Sequence, residues 1–496
     1  MKIIDTMENS ILYALVWVVV LFVGLRFWRL RFGQNEPNLG FEYAFLAKSA
    51  VGFLFIYLYA HFYPSSDAFA YLKDSRILHG VFYKSPVDYF KFLTGWNQSP
   101  EIIQQYLQDT KLWSRGDSNL INDSQNVIRI NSLLFFISFG NAYIHAIFMG
   151  LISLFGMRHL VLAFQQRIQL KSSLFFWGML ALPNLLFWSA GILKEPFLIL
   201  GLGLIARALL GELSTKRKAI FLISGILLLV CFKPYVLICL LFALFFRNWS
   251  RLVYRHIPIF SLGTFLLFCA GFVLLFPNLR QKFTDDLTVK QIDSIHVGEG
   301  GLYAMKDSNQ FYFFYNAHLN RLRVKDSVVE LLEPTDAKQK WIYRKNDFKP
   351  IHLEPKGEKW KLYVVEDSSV SLIPIQRINH SFSNLVTSAP QAIANALLRP
   401  FLWDNGGAMK YPSALEVVGV LGFLIFAIIK RRKLNVEEQK LIYTLILFSI
   451  SILALVGWTT PVAGAIVRYR IPAYMAIFVL SIFIISIPEK WKQQTT

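Results

Sequence analysis

Apolar residues along the chain gather into runs that are separated by short basic connectors and by two long polar segments. The runs cover roughly 11–28, 42–62, 142–163, 172–193, 196–212, 219–232, 235–247, 257–276, 412–430, 441–457 and 471–487. Crossing the hydrocarbon layer takes roughly 20 residues at 1.5 Å each, so the pattern predicts about eleven transmembrane helices. The stretch 219–247 also allows one long helix kinked at Pro234. A hairpin turning at Lys233-Pro234-Tyr235 is preferred, because a single helix would invert everything downstream and export the basic "IKRRK".

The two polar segments, 63–141 and 277–411, differ in texture. In the first, Pro64 ends a span, and Ser65 or Ser66 is expected to cap a helix with Asp67 in its first turn. "SPVDYFKFL" and "SPEIIQQYLQDTKLW" repeat Ser-Pro before helical spacing, and read as aromatic-rich amphipathic helices on the membrane surface. In the second, alternation and turn residues over about 299–376 predict a small β-rich module. "RQKFTDDL" before it is read as a solvated turn, and "SAPQAIANALLRPFLWDN" after it as a helix returning to the membrane. The expected architecture is an all-α polytopic membrane protein with a small β-rich extracytoplasmic insertion. Its parts are 1–276, 277–411 and 412–496.

Composition agrees. The 496 residues are 54% hydrophobic and 16% aromatic, with mean hydropathy +0.43. The net charge of +19 lies largely in clusters between spans, such as "QQRIQLK", "STKRK" and "IKRRK". That is positive-inside patterning and not a nucleic-acid footprint. It puts the N-terminus outside, the C-terminus inside and both polar segments outside. Cys231, Cys239 and Cys269 sit in apolar runs and read as core residues. No signal-peptide cleavage site or lipidation box is seen, so the first run is expected to stay as a helix.

The middles of the spans look almost free of ionisable residues, which disfavours an ion-coupled transporter. Charges collect at the expected outer ends instead: His61 and Asp67, Lys194 and Glu195, Lys233, Arg399 and Asp404, Arg468 and Arg470. In "ILKEPF" the pair Lys194-Glu195 precedes Pro196, a residue suited to a helix's first turn, and the stretch reads as a tight outer hairpin.

An acid in the first outer loop ("SSDAFAY", Asp67), a second in the next short turn ("ILKEPF", Glu195) and amphipathic helices in the first loop together resemble the C-type (GT-C) membrane glycosyltransferases. "VRYRIPAYMAIFVL" is similar to the Arg-Tyr-x-x-Pro start of a late helix in bacterial members, and "KPYVLICLL" to a recurrent hairpin. One helix more than the family's usual number precedes the first loop, and that loop carries one acid and not a pair. The resemblance implies transfer of a sugar from a polyprenyl-phosphate donor to a glycan, lipid or protein acceptor at the outer face of a bacterial cytoplasmic membrane. Asp67 and Glu195 would then be the catalytic acids, and would hold a divalent cation (magnesium or manganese) if one is used.

Such a transfer needs a base, cations for the phosphate leaving group and a dry groove. Asp67 is the candidate base, with Tyr71 one turn away to fix it. Arg468 and Arg470, flanking Tyr469, offer forked donors for phosphate. Lys194 and Lys233 could add cations, and Glu195 could orient Lys194. Arg399 and Asp404 are candidates for the acceptor site. The alternatives are a polysaccharide polymerase or ligase, which does not require the two acids, and a lipid-linked-glycan flippase or transporter.

Overall fold

The computed structural model describes residues 10–33, 36–63, 66–96, 99–113, 120–253, 256–307, 310–341, 349–366, 368–488 and 491. Pro64 and Ser65, expected near a helix cap, lie outside these. The chain divides into two compact units. One is Met1–Ile238 with Phe423–Arg432 and Phe478–Thr496; the other is Cys239–Gly422 with Lys433–Ile477.

The first unit holds α1 (Ile11–Phe32) and α2 (Phe41–Phe62), then the short α3 (Asp67–Lys84), α4 (Pro86–Thr94), α5 (Pro100–Leu107) and α6 (Asp123–Ser138). The long α7 (Ala142–Phe164) follows. After it come α8 (Ser172–Leu180), α9 (Pro183–Trp188), α10 (Glu195–Leu210) and α11 (Thr215–Phe232). Ser85, Ser99 and Asn122 cap α4, α5 and α6 through their side chains, as helix-start chemistry demands. Ser66 precedes α3 without such a bond.

Helix α10 is held by glycine on two sides. Gly201 and Gly203 stand two residues apart, about 200° around the helix, so they face different neighbours. A Cβ on Gly203 would lie 2.1 Å from the Gly156 carbonyl of α7, and one on Gly225 of α11 would lie 2.8 Å from the Gly201 carbonyl. These small residues let backbones touch where lipid gives helices no hydrophobic reason to associate. At the other end Arg207 of α10 donates to Leu162 O, and Arg167, just past α7, donates to Leu210 O. The two helices thus run parallel and cap each other's last turns.

Four expected spans take other forms, the last of them (471–487) described below. The stretch 172–193 is not one helix but α8 and α9, broken ahead of Pro183, which has no N–H to continue α8 and suits the first turn of α9. Helix α10 has 16 residues, and α11 opens with Lys216, Arg217 and Lys218. Among the described residues seven helices are long and apolar enough to cross a membrane, or eight if one bent pair counts as a span.

The break at α9 also corrects the reading that span middles are nearly free of ionisable groups. Lys48 of α2 is 1% exposed and donates to Leu185 O (3.3 Å), Leu186 O (2.9 Å) and Ser189 Oγ (2.6 Å). It satisfies carbonyls that a helix ending away from water would otherwise leave bare. Ser189 gives its own hydroxyl proton to Leu185 O. Glu42, also buried in α2, pairs with Arg29 at 2.8 Å.

The chain breaks at Lys233 between α11 and α12 (Pro234–Leu252), at the place the sequence suggested. The second unit takes up α12 within its length and continues with α13 (Pro258–Leu275) and α14 (Pro277–Glu299). Asp285 and Asp286, expected in a turn, lie on α14, where Asp285 accepts from His380 at 2.8 Å. Next comes an antiparallel sheet of β1 (Gly301–Asp307), β2 (Gln310–Tyr315), β3 (Leu322–Lys325), β4 (Val328–Leu331), β5 (Thr335–Trp341), β6 (Lys349–Leu353) and β7 (Lys359–Glu366). The strand order is β3-β4-β7-β1-β2-β5-β6. One face is the module's core, with Leu302, Tyr312, Phe314, Val329 and Trp360 packed under Leu319. Helices α15 (Phe382–Leu398), α16 (Lys410–Ile429), α17 (Val436–Thr459), α18 (Ala463–Tyr469) and α19 (Ile471–Ile484) complete the chain, with α18 and α19 meeting at 51°. The last expected span, 471–487, is therefore the straight part of a bent pair.

Gly203→Ala should lower the unfolding midpoint in detergent, by about 1–3 kcal/mol for overpacking. Gly263→Ala, with no atom within 4 Å of its Cβ, should leave it unchanged or slightly raised.

Candidate functional site

The turn between α9 and α10 is tightly placed: a Cβ on Gly191 would lie 2.4 Å from the Phe55 ring of α2. It ends at Lys194, the residue before α10. Glu195 and Pro196 open that helix, a carboxylate and a ring each suited to a first turn.

The two charges take different partners. Lys194 Nζ lies 2.7 Å from Asp123 Oδ2 at the start of α6, donates to Ser124 Oγ at 3.1 Å, and stands 5.8 Å from the Tyr71 ring centre. The fully buried Glu195 lies 3.7 Å from Lys233 Nζ. The ion-pair partner of Lys194 is Asp123, with Ser124 accepting a hydrogen bond from it, whereas the one for Glu195 is Lys233. Tyr71 turns its hydroxyl to Ser124, at 3.5 Å. Asp67 acts electrostatically on Lys194.

Electrostatics keep the group ionised. Burial alone would lower the Lys194 pKa, but Tyr71, Asp123 and Asp67 reverse that and hold it above the ordinary lysine value. Burial likewise opposes the charge of Asp123, yet Lys194 first and Lys233 next hold it below the usual carboxylate range. The cluster contains three carboxylates (Asp67, Asp123, Glu195) and two ammonium groups (Lys194, Lys233), drawn from segments far apart in sequence.

A scaffold of buried polar groups fixes α6, and with it Asp123. Asp74 of α3 accepts from the backbone of Lys111 (2.8 Å), Leu112 (2.7 Å) and Trp113 (3.2 Å). Arg129 of α6 donates to Phe92 O at 2.7 Å and covers the Trp113 ring at 4.8 Å. Asn126 donates to Cys231 O at 3.0 Å, tying α6 to the end of α11 beside Lys233.

The other expected residues belong to the second unit. Arg399 and Asp404 form a 2.7 Å ion pair, and Asp404 also accepts from the Phe401 backbone at 2.8 Å. Arg470 is fully buried; it donates to Ala396 O at 3.1 Å and to Arg399 O, and lies 4.3 Å over the Tyr474 ring. It caps the end of α15, together with Tyr474, whose hydroxyl donates to Leu397 O at 2.5 Å. Arg468 is 9% exposed and faces the Tyr469 ring at 5.9 Å.

Sequence reasoning missed Asp123, Ser124 and Asp74. The available signal was the Asn122 cap with Asp123 in the first turn, a pattern shared with helices that carry no site. Among the described residues no three His, Cys, Asp or Glu side chains converge as a metal cage. The fold and site define a multi-pass membrane protein with an internally paired charge cluster. Compared with family models, curated proteins and solved structures, the chain matches none.

Lys194→Gln should destabilise the protein by about 1 kcal/mol at neutral pH, a modest cost because 39% of the Asp123 side chain is exposed and water screens the pair. Asp123 has a lowered folded pKa, so its contribution is present above the unfolded value of about 3.9 and is lost as pH falls through the folded one. Thermal scans of both proteins should therefore differ at pH 7 and converge in acid.

Proposed function

We propose that this protein is a membrane glycosyltransferase that moves a sugar from a polyprenyl-phosphate donor to a glycan, lipid or protein acceptor at the outer face of a bacterial cytoplasmic membrane. The observation that carries the reading is the convergence of Asp123, Lys194, Glu195 and Lys233 at helix ends, within the electrostatic reach of Asp67. On this reading the chain crosses about eleven times, with the shorter α10 and α11 counted among the spans, the N-terminus outside and the C-terminus inside.

Asp67, in the first turn of α3, takes the proton of the acceptor hydroxyl. The acceptor oxygen then bonds to the anomeric carbon as the carbon–oxygen bond to phosphate breaks. The bonding pair leaves on polyprenyl phosphate, and Lys194 and Lys233 balance its growing negative charge. Asp123 and Glu195 hold the two ammonium groups in place beforehand, which spares reorganisation during the reaction. Arg470, within the second unit, supports the end of α15.

The test is incubation of protein in lipid nanodiscs with radiolabelled polyprenyl-phosphate sugars. Donor should be consumed, and Asp67→Asn should slow this by roughly 10²–10⁴-fold, the range of a lost general base, with protein level and melting unchanged. Undiminished turnover in Asp67→Asn, or no turnover of any donor, would sink the reading.

A further inference from the structure

The β module has a second face, opposite its core, that the transfer chemistry does not use. Pairing fixes which residues share it. Arg323 stands opposite Glu330, which stands opposite Lys359; Lys325 stands opposite Val328, which stands opposite Lys361. Between these rows, Val324, Val329 and Trp360 pair on the other side, where Val329 and Trp360 are core residues. The four basic residues therefore share a face and are exposed.

They form a grid. Strands β3 and β7 flank β4, so the cations of a row are about 10 Å apart, and those along a strand about 7 Å. The strands contribute one carboxylate to this grid, Glu330, 3.6 Å from Arg323. Asp326 lies in the β3–β4 turn and Glu358 just before β7, both at the rim. The Lys361 row continues to Met305 and Phe311, with Tyr363 4.9 Å from Phe311 and Tyr303 4.6 Å from Phe313. Met305, Tyr303 and Tyr363 are half-buried beside the buried Phe311 and Phe313, so a partly apolar strip borders the grid.

Repeated positive charge on one sheet face fits a ligand with repeated negative charge. A lipid surface fits less well, because membrane-docking faces carry exposed bulky apolar side chains, and here the grid offers only Val328, 37% exposed. Half-buried aromatic rings suit the apolar faces of sugars. We infer that this face binds a polyanionic glycan. Calling the polymer a glycan rests on the transferase reading; its binding does not require turnover.

The experiment uses the full chain in nanodiscs of zwitterionic lipid and a fluorescent oligogalacturonate, with neutral dextran as control. Binding should saturate, weaken as salt rises and be absent for dextran. Lys325→Glu with Lys361→Glu should weaken it roughly tenfold or more, while Lys216→Gln with Lys218→Gln leaves it unchanged. Should the double reversal fail to fold, Lys359→Gln with Lys361→Gln must still weaken binding about threefold. No binding, equal binding of dextran, or insensitivity to the sheet variants overturns the proposal. In a second arm with anionic-lipid nanodiscs, loss of oligogalacturonate binding at unchanged salt also overturns it, because the lipid surface then occupies the face. Lost donor turnover with retained oligogalacturonate binding would strike the transferase reading alone.

Discussion

A helix that stops away from water leaves carbonyls that something in the protein must satisfy, and much of this structure follows from that constraint. Lys48 meets it for α9, Arg207 and Arg167 for α7 and α10, and Arg470 with Tyr474 for α15. Because Lys48 closes α9 early, the chain can turn through Ser189–Lys194 and present Lys194 and Glu195 at the start of α10. The charged cluster thus depends on a lysine that lies outside it.

The same economy of partners organises the cluster. Each lysine has a carboxylate within 4 Å, Asp123 for Lys194 and Glu195 for Lys233. A neutral residue in place of Lys233 would take a counterion from the fully buried Glu195, a costlier loss than the one at the more exposed Asp123. Asp74 and Arg129 then hold α6, so that Ser124, 70 positions before Lys194, and its neighbour Asp123 both reach that lysine.

Much of this was legible in the chain. Asp67, Lys194, Glu195 and Lys233 stood out because each interrupts or borders an apolar run, where a charge needs a reason. The β module was legible from alternation and turn residues. Asp123 was not, because an acid in the first turn of a helix within a polar segment is ordinary. Lys48 was hidden as one cation in an apolar run, and the break at Pro183 was masked by the apolar residues around it. The strand order β3-β4-β7-β1-β2-β5-β6 joins residues distant in sequence and leaves no local trace.

Helix α10 carries glycine toward α7 and toward α11 from positions two apart, so both contacts fit in a single rotational setting. A turn of the helix about its own axis would drive side chains such as Leu200 or Leu202 into the neighbouring backbones. The direction in which Glu195 points is thereby keyed by two seams far down the same helix. Since Asp74 and Arg129 hold α6 as well, the pairing of Lys194 with Asp123 joins two helix starts that are each set by contacts outside the cluster.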